Sequence, residues 1–188
     1  MARHHQTRPA RPVTPARART PGESRRLWLR AGLIVLAGTL VYWNSLSGPF
    51  TFDDGPSIVD NDQIRRLWPL SEVLSPQRPD QPVAGRPLVT LSLAINYALG
   101  GVNVRGYHVG NIGLHILCAL LLFGLVRRTL HAPPLPSRFA ESAATNLAFV
   151  GALIWTVHPL QTETVDYLSA RTESMMSLFY LLTLYDCR

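Results

Sequence analysis

A long uncharged run near the N-terminus constrains the fold of this chain most. From Ala31 to Phe52 no residue carries a formal charge, and the run begins AGLIVLAGTLVYW. One membrane crossing takes about 20 apolar residues, so this run has the length and polarity of a transmembrane helix. Tyr42 and Trp43 then fall where aromatic side chains usually mark the membrane–water boundary. We therefore predict a membrane helix here.

A cleavable signal is the competing interpretation of this run. Residues 24–30, SRRLWLR, resemble a twin-arginine signal, and residues 45–47, Ser-Leu-Ser, form a weak cleavage site with small residues. The apolar segment is long for a signal peptide, and further apolar segments follow it. The sequence therefore favours an uncleaved anchor.

Three later runs predict more membrane helices. Residues 109–126 and 142–162 are uncharged runs. Residues 174–185 are also uncharged but are short for a membrane span by themselves. Together the runs predict an all-α, polytopic membrane protein with about four membrane helices. The predicted helices lie near residues 28–47, 107–126, 145–158 and 170–186.

The arginines set the predicted orientation. Eight of the 18 basic residues precede position 31, and arginines in short loops stay cytoplasmic. The N-terminus is therefore predicted to be cytoplasmic, and Arg127-Arg128 mark the cytoplasmic end of the second span. This orientation gives outer loops at 48–106 and 159–170. The uncharged segment 87–100 is then predicted to be an amphipathic or re-entrant helix on the outer face.

Residues 1–26 differ from the rest of the chain. They are rich in Arg, Pro, Ala and Thr without apolar periodicity, which predicts a disordered basic cytoplasmic tail. The membrane region is predicted to span 27–188. A net charge of +6 would suit nucleic-acid binding, but the arginines flank apolar segments. We therefore expect the lipid bilayer, and no nucleic acid, as a partner.

Polar and ionisable residues gather in the predicted outer loops. His108, Asn111 and His115 align on one stripe of a helix, and ionisable groups at membrane depth usually face a polar cavity. Simpler interpretations stay open. Residues 53–56, Asp-Asp-Gly-Pro, can be a turn that leaves a helix, the histidine stripe can be interhelical hydrogen bonding, and His158-Pro159 can be a helix end.

Five motifs in one order carry a resemblance to a known family. They are NSLSGPFTFDD, VDNDQIRRL, GRPLVTLSLAINYALGG, YHVGNIGLHILCALLLF and WTVHPLQTETVDYLSARTES. From about residue 30 onward, where the first apolar span is predicted, the chain resembles the start of the transmembrane-and-tetratricopeptide-repeat (TMTC-like) O-mannosyltransferases. It is similar especially to bacterial relatives of that family, which belongs to the GT-C glycosyltransferases.

The resemblance implies an activity. It implies a GT-C-like membrane enzyme that transfers a mannose-like sugar from a polyprenyl- or dolichyl-phosphate donor to a protein hydroxyl on the outer face. In such chemistry a carboxylate takes the acceptor proton, and cations stabilise the departing phosphate. The lipid-phosphate sugar is the donor substrate. A divalent-metal requirement stays open, and the resemblance implies no certain cofactor.

The resemblance also implies site residues. Asp53 and Asp54 match the paired acids of the first outer loop and are the predicted catalytic residues. Gly85 stands where the family often has an aromatic residue before its Arg-Pro pair. The residues implied to bind the donor phosphate or the substrate are Arg86, His108, Asn111, His115, His158, Glu163 and Arg171.

The chain lacks one feature of the family. No 34-residue helical repeat is visible, and the sequence stops within or just after the fourth predicted span. We therefore expect a truncated piece of an inner- or plasma-membrane enzyme that is inactive alone. The alternative is a non-catalytic membrane scaffold whose acidic loop organises packing or binds a partner.

Overall fold

The computed structural model describes residues 21–76, 81–132 and 141–187. Within these ranges every regular element is helical, which confirms the predicted all-α class. The helices are α1 (Pro21–Val41), α2 (Leu70–Leu74), α3 (Pro87–Gly100), α4 (Val104–Leu130), α5 (Glu141–Val157), α6 (Gln161–Asp166) and α7 (Arg171–Asp186). Short 3-10 or π turns cover Trp43–Ser47, Gly55–Val59, Asp62–Arg65 and Leu168–Ala170.

α1 begins earlier and ends earlier than the sequence predicts. Its described part already begins at Pro21, ahead of the predicted helix near residues 28–47, and Glu23 lies in its first described turn. The predicted disordered tail is therefore wrong for residues 21–26, and its other residues lie outside the described part. At the other end, α1 gives way to a 3-10 turn at Trp43–Ser47.

α4 is the one described helix whose length and composition would let it cross a membrane. It runs for 27 residues, starts at an Asn103 cap that accepts a hydrogen bond from the Arg105 N–H, and ends with Arg127 and Arg128 in its last turn. α3 and residues 142–157 of α5 are apolar but shorter. The crossing of a membrane by several helices stays a prediction.

The helices α1, α4 and α5 share a core at the end of the molecule where α1 begins. α4 packs against both α5 and α7, and α1 packs against α4 and α5. Three alanines, Ala119, Ala148 and Ala152, are fully buried in this core with Ile34. Small residues let helices approach closely, which is a usual device of helix packing in membranes.

A second core lies at the opposite end and belongs to the first predicted outer loop. It joins the short turns of that loop to α3, to the start of α4 and to the segment before α7. Its buried members are Ile58, Ile64, Val73, Val83, Val89, Leu93, Ala94, Tyr107 and Leu168. The long loop is therefore a folded unit, and the predicted helix at 87–100 is present as α3. Its position outside a bilayer stays a prediction.

Candidate functional site

The two acids of the first loop have different surroundings. Asp54 is fully buried. One of its carboxylate oxygens accepts hydrogen bonds from the Ser169 N–H (2.8 Å) and hydroxyl (2.7 Å). The other oxygen accepts from the Thr51 N–H at 3.0 Å. Asp54 therefore ties the first loop to the segment before α7, and its oxygens are occupied by protein donors.

Asp53 is exposed and lines a small cleft. We call it the Asp53 cleft; its volume is about 110 Å³. It is lined by Asp53, Pro82, Arg86, Tyr167, Ser169, Ala170, Thr172 and Glu173. An acid and an arginine that the sequence singled out therefore share one cavity. Arg86 is anchored there by a hydrogen bond from Nη1 to the Pro82 carbonyl at 2.8 Å.

Tyr167 stands beside Asp53. Its phenol oxygen accepts a hydrogen bond from the Asp53 N–H at 3.2 Å. Burial raises the pKa of the Tyr167 phenol above its ordinary value, and the carboxylates of Asp53 and Asp54 add to the rise, although the hydrogen bond from the Asp53 backbone opposes it. The phenol therefore stays protonated at neutral pH and can donate a hydrogen bond to a ligand or carboxylate.

An apolar groove adjoins the Asp53 cleft. This α3–α7 groove has a volume of about 270 Å³ and shares Arg86 and Thr172 with the cleft. The rest of its lining is Pro87, Leu88, Val89, Met175, Met176 and Phe179. Arg86 thus stands where a polar cavity meets an apolar one, an arrangement that suits a molecule with a charged group on a hydrocarbon chain.

Arg171 is buried, with 2% of its surface exposed. Its guanidinium donates to Asn111 Oδ1 (2.8 Å), Asn96 Oδ1 (2.5 Å) and the Tyr107 carbonyl (2.9 Å), with a longer contact to the Ser92 carbonyl. Asn111 in turn donates to the carbonyls of residues 165, 167 and 168. Both predicted substrate-binding residues are therefore engaged in joining α3, α4 and α7, which favours a structural role for them.

His108 lines a second cleft near the acidic loop. This second cleft has a volume of about 490 Å³ and is also lined by Glu163, Asp166, Tyr167 and Phe52. His108 is buried; its Nε2 lies 3.3 Å from the Gly48 carbonyl, and its Nδ1 has no hydrogen-bond partner among the described residues. The Ser45 hydroxyl donates to Asp166 Oδ1 on the cleft wall. Of the predicted residues, His108 and Glu163 therefore share a cleft.

The other two histidines lie elsewhere. His115 is buried between helices, stacked on Trp155 with ring centroids 4.7 Å apart, and its Nε2 lies 3.0 Å from the Thr156 carbonyl. His158 is exposed after α5, and its Nδ1 accepts a hydrogen bond from the Leu160 N–H. These contacts match the simpler interpretations: interhelical bonding for His115 and a helix end for His158.

Metal binding finds no support in the described ranges. There, no group of three or more His, Cys, Asp or Glu side chains is placed to hold a metal ion. The predicted site omits Ser169 and Tyr167, although both belong to the motif that ends TVDYLSARTES. Their contacts with Asp54 and Asp53 span more than 110 residues, so local spacing gives no signal for them.

Comparison with known proteins gives matches among curated sequences. The chain is 36% identical over 165 residues to protein O-mannosyl-transferase Tmtc1 of Drosophila melanogaster, which covers 84% of this chain and 18% of that protein. It is 31% identical over 176 residues to human protein O-mannosyl-transferase TMTC1, covering 87% and 19%. A protein O-mannosyl-transferase of Caenorhabditis elegans is 30% identical over 175 residues, covering 88% and 24%.

Other comparisons give no match. No protein-family model matches this chain, and no solved structure matches it. The chain spans only about a fifth of the length of the curated relatives it matches.

Proposed function

This chain belongs to the TMTC-like family of protein O-mannosyl-transferases, and on that premise we propose that it forms one wall of a glycosyl-transfer site in a membrane enzyme. The proposed reaction moves a mannose-like sugar from a polyprenyl- or dolichyl-phosphate donor to a protein hydroxyl on the outer face. The observation that carries the proposal is the position of Asp53 and Arg86 in one cleft, beside an apolar groove.

Asp53 is the proposed base. Its carboxylate is exposed in the cleft, whereas the Asp54 oxygens are taken by Thr51 and Ser169. Asp53 would accept the proton of the acceptor hydroxyl as that oxygen attacks the anomeric carbon of the sugar. The bond from this carbon to the phosphate oxygen then breaks, and the lipid phosphate leaves with its bonding electrons.

Arg86 is the proposed partner of the leaving phosphate. A guanidinium suits phosphate because it donates two parallel hydrogen bonds and stays charged, and charge that develops on the leaving group is stabilised by such a donor. The α3–α7 groove would then hold the first part of the hydrocarbon chain, since Leu88, Val89 and Met176 line it next to Arg86.

The chain alone is expected to be inactive. Ligand pockets commonly enclose about 300–1,000 Å³, whereas the Asp53 cleft measures about 110 Å³. A sugar bound to Asp53 would therefore need further walls. We propose that they come from the remainder of an enzyme of this family.

The test is sugar transfer to a hydroxyl-bearing peptide in membranes that contain the full-length protein. We expect Asp53→Asn to lower the rate by about 100-fold or more, the range of a lost general base. Asp60→Asn is the matched control, because Asp60 is exposed in the same loop but lies outside the cleft. Asp54→Asn should instead lower the amount of folded protein, since it weakens the Ser169 contacts.

A non-catalytic membrane scaffold is the second candidate. It is favoured by the paired state of Asp54, Asn111 and Arg171, whose contacts need no ligand. The same assay separates the candidates: transfer that is unchanged by Asp53→Asn at equal protein levels would remove the catalytic role of Asp53.

A further inference from the structure

A second charged cavity lies far from the acidic loops, between the starts of α1 and α5. It has a volume of about 300 Å³ and is lined by Glu23, Arg26, Leu27, Arg30, Ser142 and Thr145. Nothing in the proposed glycosyl transfer uses these residues. Arg127 and Arg128, in the last turn of α4, belong to the same end of the molecule, because Val126 packs into the core that Leu27 also contacts.

The two arginines of this cavity are placed as a pair. Arg26 and Arg30 are four residues apart on α1 and therefore lie on one face of the helix. Arg30 is held by a hydrogen bond from Nη2 to Asn146 Oδ1 on α5, at 2.6 Å. A guanidinium held in place, with a second arginine on the same helix face, suits a phosphate, whose oxygens accept bidentate hydrogen bonds.

Exposed apolar side chains continue from the cavity along both helices. Leu33, three residues after Arg30, is 51% exposed, and Val150, four residues after Asn146, is 47% exposed. Spacings of three and four place each on the same face as the residue before it. The hydrogen-bonded pair of Arg30 and Asn146 is thus followed on both helices by an apolar surface, which a free phosphate ion would not use.

We propose that this cavity binds the phosphate headgroup of an anionic membrane lipid, whose acyl chains lie along Leu33 and Val150. The lining side chains of Arg26, Arg30 and Glu23 carry a formal net charge of +1, which suits a lipid with a single negative charge. Basic groups at a membrane surface attract anionic lipids in general. The cavity adds a fixed geometry and a place for the headgroup to this attraction.

Titration of the detergent-solubilised chain tests the proposal, with bound molecules counted by native mass spectrometry. The probes are phosphatidylglycerol, phosphatidylcholine with the same acyl chains, and sodium phosphate. We expect phosphatidylglycerol to bind about tenfold more tightly than phosphatidylcholine, because two basic groups face its charge. Equal affinity for the two lipids, or full occupancy of the site by phosphate alone, would overturn the proposal.

Variants locate the binding. The double substitution Arg26→Gln/Arg30→Gln should lower phosphatidylglycerol affinity by about tenfold. The control is Arg66→Gln/Arg105→Gln, which removes the same charge from two exposed arginines outside the cavity, at the opposite end of the molecule. It should leave the phosphatidylglycerol affinity unchanged. An equal loss in both pairs would show attraction by overall charge and would refute a defined site.

A gain of affinity gives a test that misfolding cannot imitate. Glu23 lines the cavity with a negative charge, so Glu23→Gln should tighten phosphatidylglycerol binding several-fold while phosphatidylcholine binding stays the same. If Glu23→Gln leaves phosphatidylglycerol affinity unchanged, the headgroup does not lie in this cavity.

Discussion

At the scale of single residues, two neighbouring acids differ in burial and therefore in what they can do. Asp53 and Asp54 are adjacent in the chain, but a turn at residues 51–54 with Phe52 at a positive φ of 44° directs them differently. Asp54 is buried against Ser169, and Asp53 faces a cleft. Non-glycine residues seldom adopt such a φ, and the hydrogen bonds that Thr51 and Asp54 exchange close this turn.

Arg171 gives the prediction that belongs to this scale. Arg171→Gln should lower the free energy of unfolding by about 2–4 kcal/mol, because the buried Asn111 oxygen and the half-buried Asn96 oxygen lose a charged donor. Arg171→Lys should restore little of this loss, since one ammonium group cannot reach acceptors on three sides. The measurement is thermal unfolding of the detergent-solubilised chain.

The control for Arg171 is Arg105→Gln. Arg105 is exposed at the start of α4, so its replacement removes the same charge with little effect. If Arg171→Gln were as stable as Arg105→Gln and only weakened donor binding, the phosphate-binding role that the family resemblance implies would be favoured over the structural one.

The sequence could identify these residues but not their surroundings. Asp53, Asp54, Arg86 and Arg171 stand out as polar groups between apolar runs, and their site roles are what the family resemblance implies. Which acid is buried depends on Ser169, more than 100 residues later. No periodicity reports such a contact, because it arises only when the first loop packs against the segment before α7.

At the scale of helices, proline and glycine residues make the first and last residues of some helices predictable. α3 was expected at residues 87–100 and is found at Pro87–Gly100, where proline suits the first turn and glycine the end. α1 lacked such a marker at its C-terminal end, since Tyr42 and Trp43 continue the apolar run. There the sequence predicts a helix to residue 47, and the structure changes to a 3-10 turn.

Two glycines of α4 form a matched pair for an experiment at this scale. A Cβ at Gly110 would lie 2.7 Å from Arg171 Nη2 and 3.0 Å from Asn96 Oδ1, whereas a Cβ at Gly113 would meet nothing within 4 Å. Gly110→Ala should therefore lower the free energy of unfolding by about 1–3 kcal/mol, as overpacking does. Gly113→Ala should be neutral or stabilising by up to about 1 kcal/mol.

The glycine pair also tests the coupling of α4 with α7. Gly110→Ala and Arg171→Gln act on the same hydrogen bonds, so their combined effect in a double variant should be smaller than the sum of the two. Additive losses would mean that Gly110 and Arg171 act independently, in conflict with the contact between them.

At the scale of the whole molecule, charge and apolar surface are arranged in layers. The arginines of α1 and of the end of α4 lie at one end, and the folded acidic loop lies at the other. Between them α1, α5 and α7 expose large apolar side chains such as Leu36, Ile154 and Phe179. Apolar surface on this scale indicates a membrane or protein interaction, which agrees with a helix, α4, able to cross a bilayer.

Labelling of cysteines tests how many helices cross. The multi-pass orientation places residues 62 and 160 outside and Cys187 inside, whereas a single crossing by α4 would leave both 160 and 187 on the same side. Asp62→Cys and Leu160→Cys are suitable because both side chains are largely exposed. Each is placed in a Cys118→Ala/Cys187→Ala background, and native Cys187, which is exposed, is tested with Cys118→Ala alone.

The readout is reaction with a membrane-impermeant maleimide on intact cells. Cysteines at 62 and 160 should react at once, and Cys187 only after permeabilisation, because arginines in short loops keep the start of α1 and the end of α4 in the cytoplasm. Protection of position 160 together with Cys187 would mean that α5 and α7 do not cross. The segment that carries Tyr167 and Ser169 would then be held away from the first loop by the membrane, although the structure bonds it to Asp53 and Asp54. The Asp53 cleft can therefore form only if α5 and α7 cross the membrane.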